Sequence, residues 1–143
     1  MSCPVRLLPF LFAFAHSVSA AESAPAPLPR DWIDGKTGHR IVRLSPDTGG
    51  GSLYFHQRSY TPEGDKAVLR TREGIVAVDL TTLGQSPPKS ELVLAGSSPI
   101  ATAWHTREAY FFARGENSLK AVHLDTKAIR EVVKLPPQAR GAQ

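Results

Sequence analysis

The side chains able to do chemistry in this sequence are few and dispersed. Beyond His16, four histidines occur, His39, His56, His105 and His123, and none belongs to a His-x-His pair. A metal centre needs three or four donors brought together, and the spacing writes in no such cluster. No P-loop, dinucleotide fingerprint or nucleophilic triad is present. Gly49-Gly50-Gly51 precedes no Lys-Ser/Thr pair and opens no helix, so it reads as a flexible loop. The one cysteine, Cys3, excludes an intrachain disulfide and a cysteine-based zinc site. What remains is His56-Gln57-Arg58 in an aromatic stretch, and Trp104-His105 further on. Arginine presents a planar fork that can hold a carboxylate through two hydrogen bonds. The candidate chemistry is therefore binding of an anionic ligand by His56, Gln57, Arg58 and His105, with no catalytic residue assigned.

These residues must be positioned by a small exported domain. The chain has 143 residues and a formal net charge of +4, with 41% hydrophobic and 21% charged residues. That composition argues against disorder and against collagen-like or coiled-coil chains. A sequence pI near 9.5 favours anionic partners only in a general way, and the basic residues are scattered, so nucleic acid is not an expected partner. Arg6 is the only charge before Glu22, an apolar run follows it, and Val18-Ser19-Ala20 supplies small residues for cleavage. This is the pattern of a secretory signal peptide over residues 1–20, too short to span a bilayer, which leaves no membrane anchor after cleavage and a periplasmic or secreted product. Residues 21–30 alternate Pro and Ala and read as an extended linker. Residues 136–143 read as a disordered tail.

From His39 onward the pattern is short strands and turns, with no helical period. Strands are expected at 39–44, 53–60, 67–71, 75–80, 91–95, 100–106, 109–114, 119–124 and 129–135. Thr61-Pro62-Glu63-Gly64-Asp65-Lys66 is a turn, since Pro presets φ and Gly accepts positive φ. The second half repeats the first. Tyr60 and Trp104 are 44 residues apart, as are Arg70 and Arg114, and Val78-Asp79-Leu80 and Val122-His123-Leu124. A four-strand unit at this period matches a propeller blade of about 40–45 residues. The fold class expected is all-β, a partial propeller over 31–135. It would have one blade at about 53–95, a second at about 100–135, and one N-terminal closing strand at 39–44. An unrelated antiparallel sandwich is the alternative. Closed propellers use about 4–8 blades. Two blades would leave two apolar faces open and favour self-association.

In such a blade 53–60 is the strand nearest the central channel, and alternation sets His56 and Arg58 on one side and Gln57 on the other. Two readings stay open there: a site for a uronate carboxylate, or a polar network that only satisfies backbone. Trp104 reads as blade packing, His123 as a surface residue in the place of Asp79, and Arg70 and Arg114 as one structural position shared by both blades.

Three stretches, Trp32 to Leu44 (WIDGKTGHRIVRL), Leu53 to Gln57 (LYFHQ) and Tyr60 to Lys66 (YTPEGDK), resemble the start of the oligogalacturonide lyase family. The segment Val78 to Gly84 (VDLTTLG) is similar to a blade end there and in TolB-like propellers. The resemblance implies a seven-bladed propeller that breaks short pectin fragments by β-elimination. It implies a manganese-type metal on histidines and a glutamine, and a separate histidine base, in blades this chain does not contain. The expected function is thus the N-terminal part of such a lyase, inactive alone, with oligogalacturonides as the whole propeller's ligand. A non-catalytic TolB-like or WD40-like segment for protein interaction is the alternative.

Overall fold

The computed structural model describes residues 29–136, apart from Asp47, Ser86 and Arg114. The expected signal peptide, most of the linker and nearly all of the tail lie outside the described residues. The described part is all-β, with a single 3-10 turn at Leu80–Thr82. Three antiparallel sheets are present. A hairpin joins β1 (Asp31–Ile33) to β2 (Arg40–Val42). The first blade runs β3 (Gly50–Gly51), β4 (Lys66–Thr71), β5 (Gly74–Asp79), β6 (Ser90–Ala95). The second runs β7 (Pro99–Thr102), β8 (Glu108–Phe112), β9 (Ser118–His123), β10 (Ile129–Lys134). Each blade is an uninterrupted meander of neighbouring strands, the propeller-blade arrangement.

Three expectations are corrected by this layout. The strand expected at 39–44 does not stand alone. Asp34 accepts hydrogen bonds from the N–H groups of Lys36 (3.2 Å) and Thr37 (2.8 Å) and from the Thr37 hydroxyl (2.7 Å), and Gly38 takes a φ of +69°. The chain therefore turns back and pairs β2 with β1. The stretch 53–60 is not a strand; only its end touches the ladder, through the Tyr60 bridge to Ala67 and the Ser59 carbonyl, which accepts the Val68 N–H (2.7 Å). The innermost place is taken instead by Gly50-Gly51, part of the run expected to be a loose loop. A Cβ on Gly50 would lie 3.2 Å from the Arg70 carbonyl oxygen, so glycine lets this backbone lie close along β4.

The repeat is real, but its spacing is not uniform. Lys66 pairs with Asp79 in the first blade, and Glu108 with His123 in the second. Lys66 and Glu108 are 42 apart, whereas Asp79 and His123 are 44 apart. The outermost strands are 39 apart, since Val78 pairs with Ser90 and Val122 with Ile129. Both outer strands carry an irregularity at matching places, leaving Val93 and Val132 out of register. By this alignment Tyr60 matches Thr102, not Trp104, and Arg70 matches Phe112, not Arg114.

The main core lies between the two blades. Val68, Ile75, Ala77 and Val93 of the first pack against Ala109, Phe111, Val122 and Leu124 of the second. Fully burying side chains of this size stabilises by about 1.5–3 kcal/mol each. On the other face of the first blade, Leu69, Val76 and Val78 form a smaller cluster with Leu44 against it. That face is thus covered by the N-terminal segment rather than left open.

The blades are also joined by ions. Arg107 donates to both carboxylate oxygens of Asp65 (2.8 and 2.9 Å), to Glu63 (2.7 Å) and to Asp125 (2.6 Å). Lys66 pairs with Asp125 and Lys127 with Glu91. The Arg107 guanidinium and the Thr61 hydroxyl hold the Asp65 carboxyl down to about 2. Arg107 and Lys66 hold Asp125 well below the carboxylate range.

Candidate functional site

The aromatic stretch folds as a tight turn. Gln57 donates its N–H to the Tyr54 carbonyl (2.8 Å), and its side-chain oxygen accepts the Tyr54 N–H (3.0 Å). The turn stacks three rings, with Tyr54 and Phe55 centroids 4.6 Å apart and His56 edge-on to both. Because this is a turn, the alternation expected for His56, Gln57 and Arg58 does not exist.

Arg58 then runs back toward the second blade. Its Nε donates to the Tyr60 carbonyl (2.9 Å) and Nη2 to the Thr61 carbonyl (3.0 Å). The guanidinium carbon lies 4.8 Å from the centre of the Trp104 ring, a cation–π stack. One edge of the fork therefore holds backbone, and Nη1 bonds nothing among the described residues. Trp104 is 70% exposed, so it does not pack inside its blade as expected. Phe55, at 86%, is more open still.

Phe55, His56, Gln57, Arg58, Tyr60 and Trp104 line a shallow groove of 340 Å³. The structure thus brings three of the four candidate residues together. His105 is not among them; it lies in the turn between β7 and β8 and lines none of the grooves described here. A second groove shares Phe55 and Gln57 and continues past Tyr54 to Arg70. A third shares Arg70 and ends at Gly49–Gly51 and Arg72. Among the described residues no aspartate or glutamate lines any of the three. A surface carrying arginines beside open aromatic faces can hold an anion and stack a flat or weakly polar ring face at once.

Arg70 was hidden from sequence reasoning. Its supposed partner at Arg114 assigned it a structural role, and only the true two-residue difference in turn length separates them. The structure leaves it exposed, with no side-chain hydrogen bond or ion pair among the described residues. His123 has a structural task. Its Nδ1 accepts the N–H groups of Asp125 (3.2 Å) and Thr126 (3.3 Å), much as Asp79 accepts the Thr81 N–H (2.9 Å).

Manganese, implied by the family resemblance, finds no fit here. Among the described residues no three His, Cys, Asp or Glu side chains converge as a cation would require. His123 has its Nδ1 engaged, and His56 lies against two aromatic rings.

No protein-family model matches the chain, and no curated protein does. Among solved structures, the crystal structure of oligogalacturonate lyase from Vibrio parahaemolyticus superposes with a TM-score of 0.57 and 18% sequence identity. The match covers 75% of this chain and 29% of that one, so this chain spans under a third of that protein's length. At that identity the likeness is one of fold: the chain carries two blades of a β-propeller related in architecture to that lyase.

Proposed function

We propose that this chain is the exported N-terminal portion of an oligogalacturonide-lyase-like propeller. In this reading the groove at His56, Gln57 and Arg58 binds the carboxylate of a uronate residue. The observation that carries it is the acid-free groove in which Arg58 stacks on the exposed Trp104. The fold shared with an oligogalacturonate lyase makes a uronate the fitting anion. Arg58 keeps Nη1 for the ligand, the Gln57 side-chain nitrogen is a second donor, and Phe55 and Trp104 offer faces for sugar C–H groups. Proton abstraction next to the carboxylate needs a base and a cation to stabilise the developing enediolate. The described residues assemble neither, so the reading is of binding without turnover.

Calorimetric titration tests this directly. The chain is expected to bind trigalacturonate and not the neutral maltotriose, with Arg58→Ala weakening the affinity about tenfold, the scale of one charge-assisted hydrogen bond. Equal affinity for the neutral sugar overturns the uronate reading. Manganese-dependent appearance of the unsaturated uronate chromophore overturns the claim of inactivity. The export half is checked by sequencing the N-terminus from the periplasmic fraction, where Ala21 is expected first.

A further inference from the structure

We infer that Arg70 and Arg72 form a second anion-binding subsite, joined to the Arg58 groove and suited to a further acidic group on the same saccharide chain. The inference rests on the uronate reading for the identity of the ligand, but on separate residues for the site. Arg70 and Arg72 are exposed, and their guanidinium groups meet no carboxylate, carbonyl or hydroxyl among the described residues. Arg70 near the end of β4 and Arg72 just past it concentrate positive charge at one place on the surface. Beside them the chain presents Gly49, Gly50 and Gly51. A Cβ at Gly49 or Gly51 would meet nothing within 4 Å, so the wall next to the arginines is bare of side chains and open to a ligand.

The two sites form one track. The grooves overlap through Phe55 and Gln57 at one junction and through Arg70 at the other. Along β4 the track runs from Ala67, bridged to Tyr60, to Thr71, paired with Gly50. Four residues of strand span about 13 Å at 3.3 Å each, longer than one sugar ring. Cations at both ends with rings between them match a chain whose acidic groups recur along its length. A single acidic sugar would engage one end only. Binding at two joined sites raises affinity steeply with ligand length, because the second contact is intramolecular.

The test is titration of the full chain with digalacturonate and with hexagalacturonate. The hexamer is expected to bind at least about tenfold more tightly. The pair Arg70→Gln and Arg72→Gln should remove that advantage and leave the dimer's affinity unchanged, whereas Arg58→Ala should weaken both. A double variant that keeps the length advantage overturns the subsite. The amide signals of Gly49–Gly51 give an independent readout. If no uronate binds, yet sulfate shifts those signals in the wild type and not in the double variant, the anion subsite stands and the uronate reading falls. No shift with any of these anions overturns the subsite.

Discussion

At the scale of single residues, the side chains that hold the fold together and those that face the groove are largely different sets. Asp65 and Glu108 belong to the first. Arg130 donates twice to Glu108, at 2.7 Å each, and with Thr106 holds its carboxyl down from the usual 4.5 to about 2. Arg107 and Thr61 do the same for Asp65, from 3.8 to about 2. Carboxyls depressed on folding contribute stability above their unfolded values and lose it as protons bind. The melting temperature is therefore expected to hold steady down to about pH 4.5 and to fall between there and about pH 2. Glu108→Gln should lower the plateau and flatten that fall, which a pH series of thermal melts reads directly. A melt that loses stability only near neutral pH would show that histidines, not these carboxylates, govern it. Arg58 straddles both sets, since it holds two carbonyls as well as a groove wall.

At the scale of elements, turns decide more than strands. Glycine at position 74 shows this. Only Arg72 and Glu73 separate β4 from β5, so Gly74 must adopt a φ of +147°, and a Cβ there would lie 2.0 Å from the Leu94 carbonyl oxygen. Gly74→Ala is expected to cost on the order of 3 kcal/mol, by strain and by loss of pairing to β6, measurable by urea denaturation. Its counterpart in the second blade is Ser118, where a connection longer by two residues relaxes the demand. Such length differences explain what was legible in the sequence. Strands with apolar alternation and Gly or Pro at their ends, such as β4 through β6 and β8 through β10, could be read within a residue or two. The Tyr54–Gln57 turn could not, because it contains neither Gly nor Pro and is rich in the aromatics that strands favour. Its closing bond runs through the Gln57 side chain, a contact with no periodicity to betray it. The anion-facing role of Arg70 was lost for a related reason: a repeat of constant length was assumed where three different offsets operate.

At the scale of the whole molecule, the two open ends of a two-blade stack are not equivalent. The first blade's outer face is covered around Leu44, whereas among the described residues no buried cluster forms on the second blade's. There Tyr110 pairs with Ala121, Phe112 with Leu119, and Leu119 with Val133, and Phe112 and Val133 are 41% and 46% exposed. Tyr110, Ala121, Leu119 and Val133 match Val68, Ala77, Ile75 and Leu94, which in the first blade meet the neighbouring sheet, and Phe112 matches Arg70 at the edge of that face. A sheet face built for burial and left in water favours association. The chain is expected to elute from size exclusion as a dimer or larger by light scattering, and Phe112→Asp to return it to a monomer. A monodisperse wild-type monomer would show that this face tolerates water. The ion pairs that bridge the blades have a further consequence. Arg107 with Asp65, Glu63 and Asp125, Lys66 with Asp125, and Lys127 with Glu91 all lie toward the rim formed by the turns that follow Tyr60, Thr102, Asp79 and His123. Among the described residues none bridges the opposite rim, where Arg72 and Gly50 lie. The stack is pinned by ion pairs along one rim, its spine, and held at the other, the looser edge, by the short peptide through Gly96, Ser97 and Ser98 that joins β6 to β7. Amide hydrogens near Thr71, Gly74 and Phe112 are therefore expected to exchange with deuterium sooner than those near Ala67, Val78 and Val122, at equal depth in the sheet. A ligand spanning the groove would cross from the spine to the loose edge and slow the exchange there most.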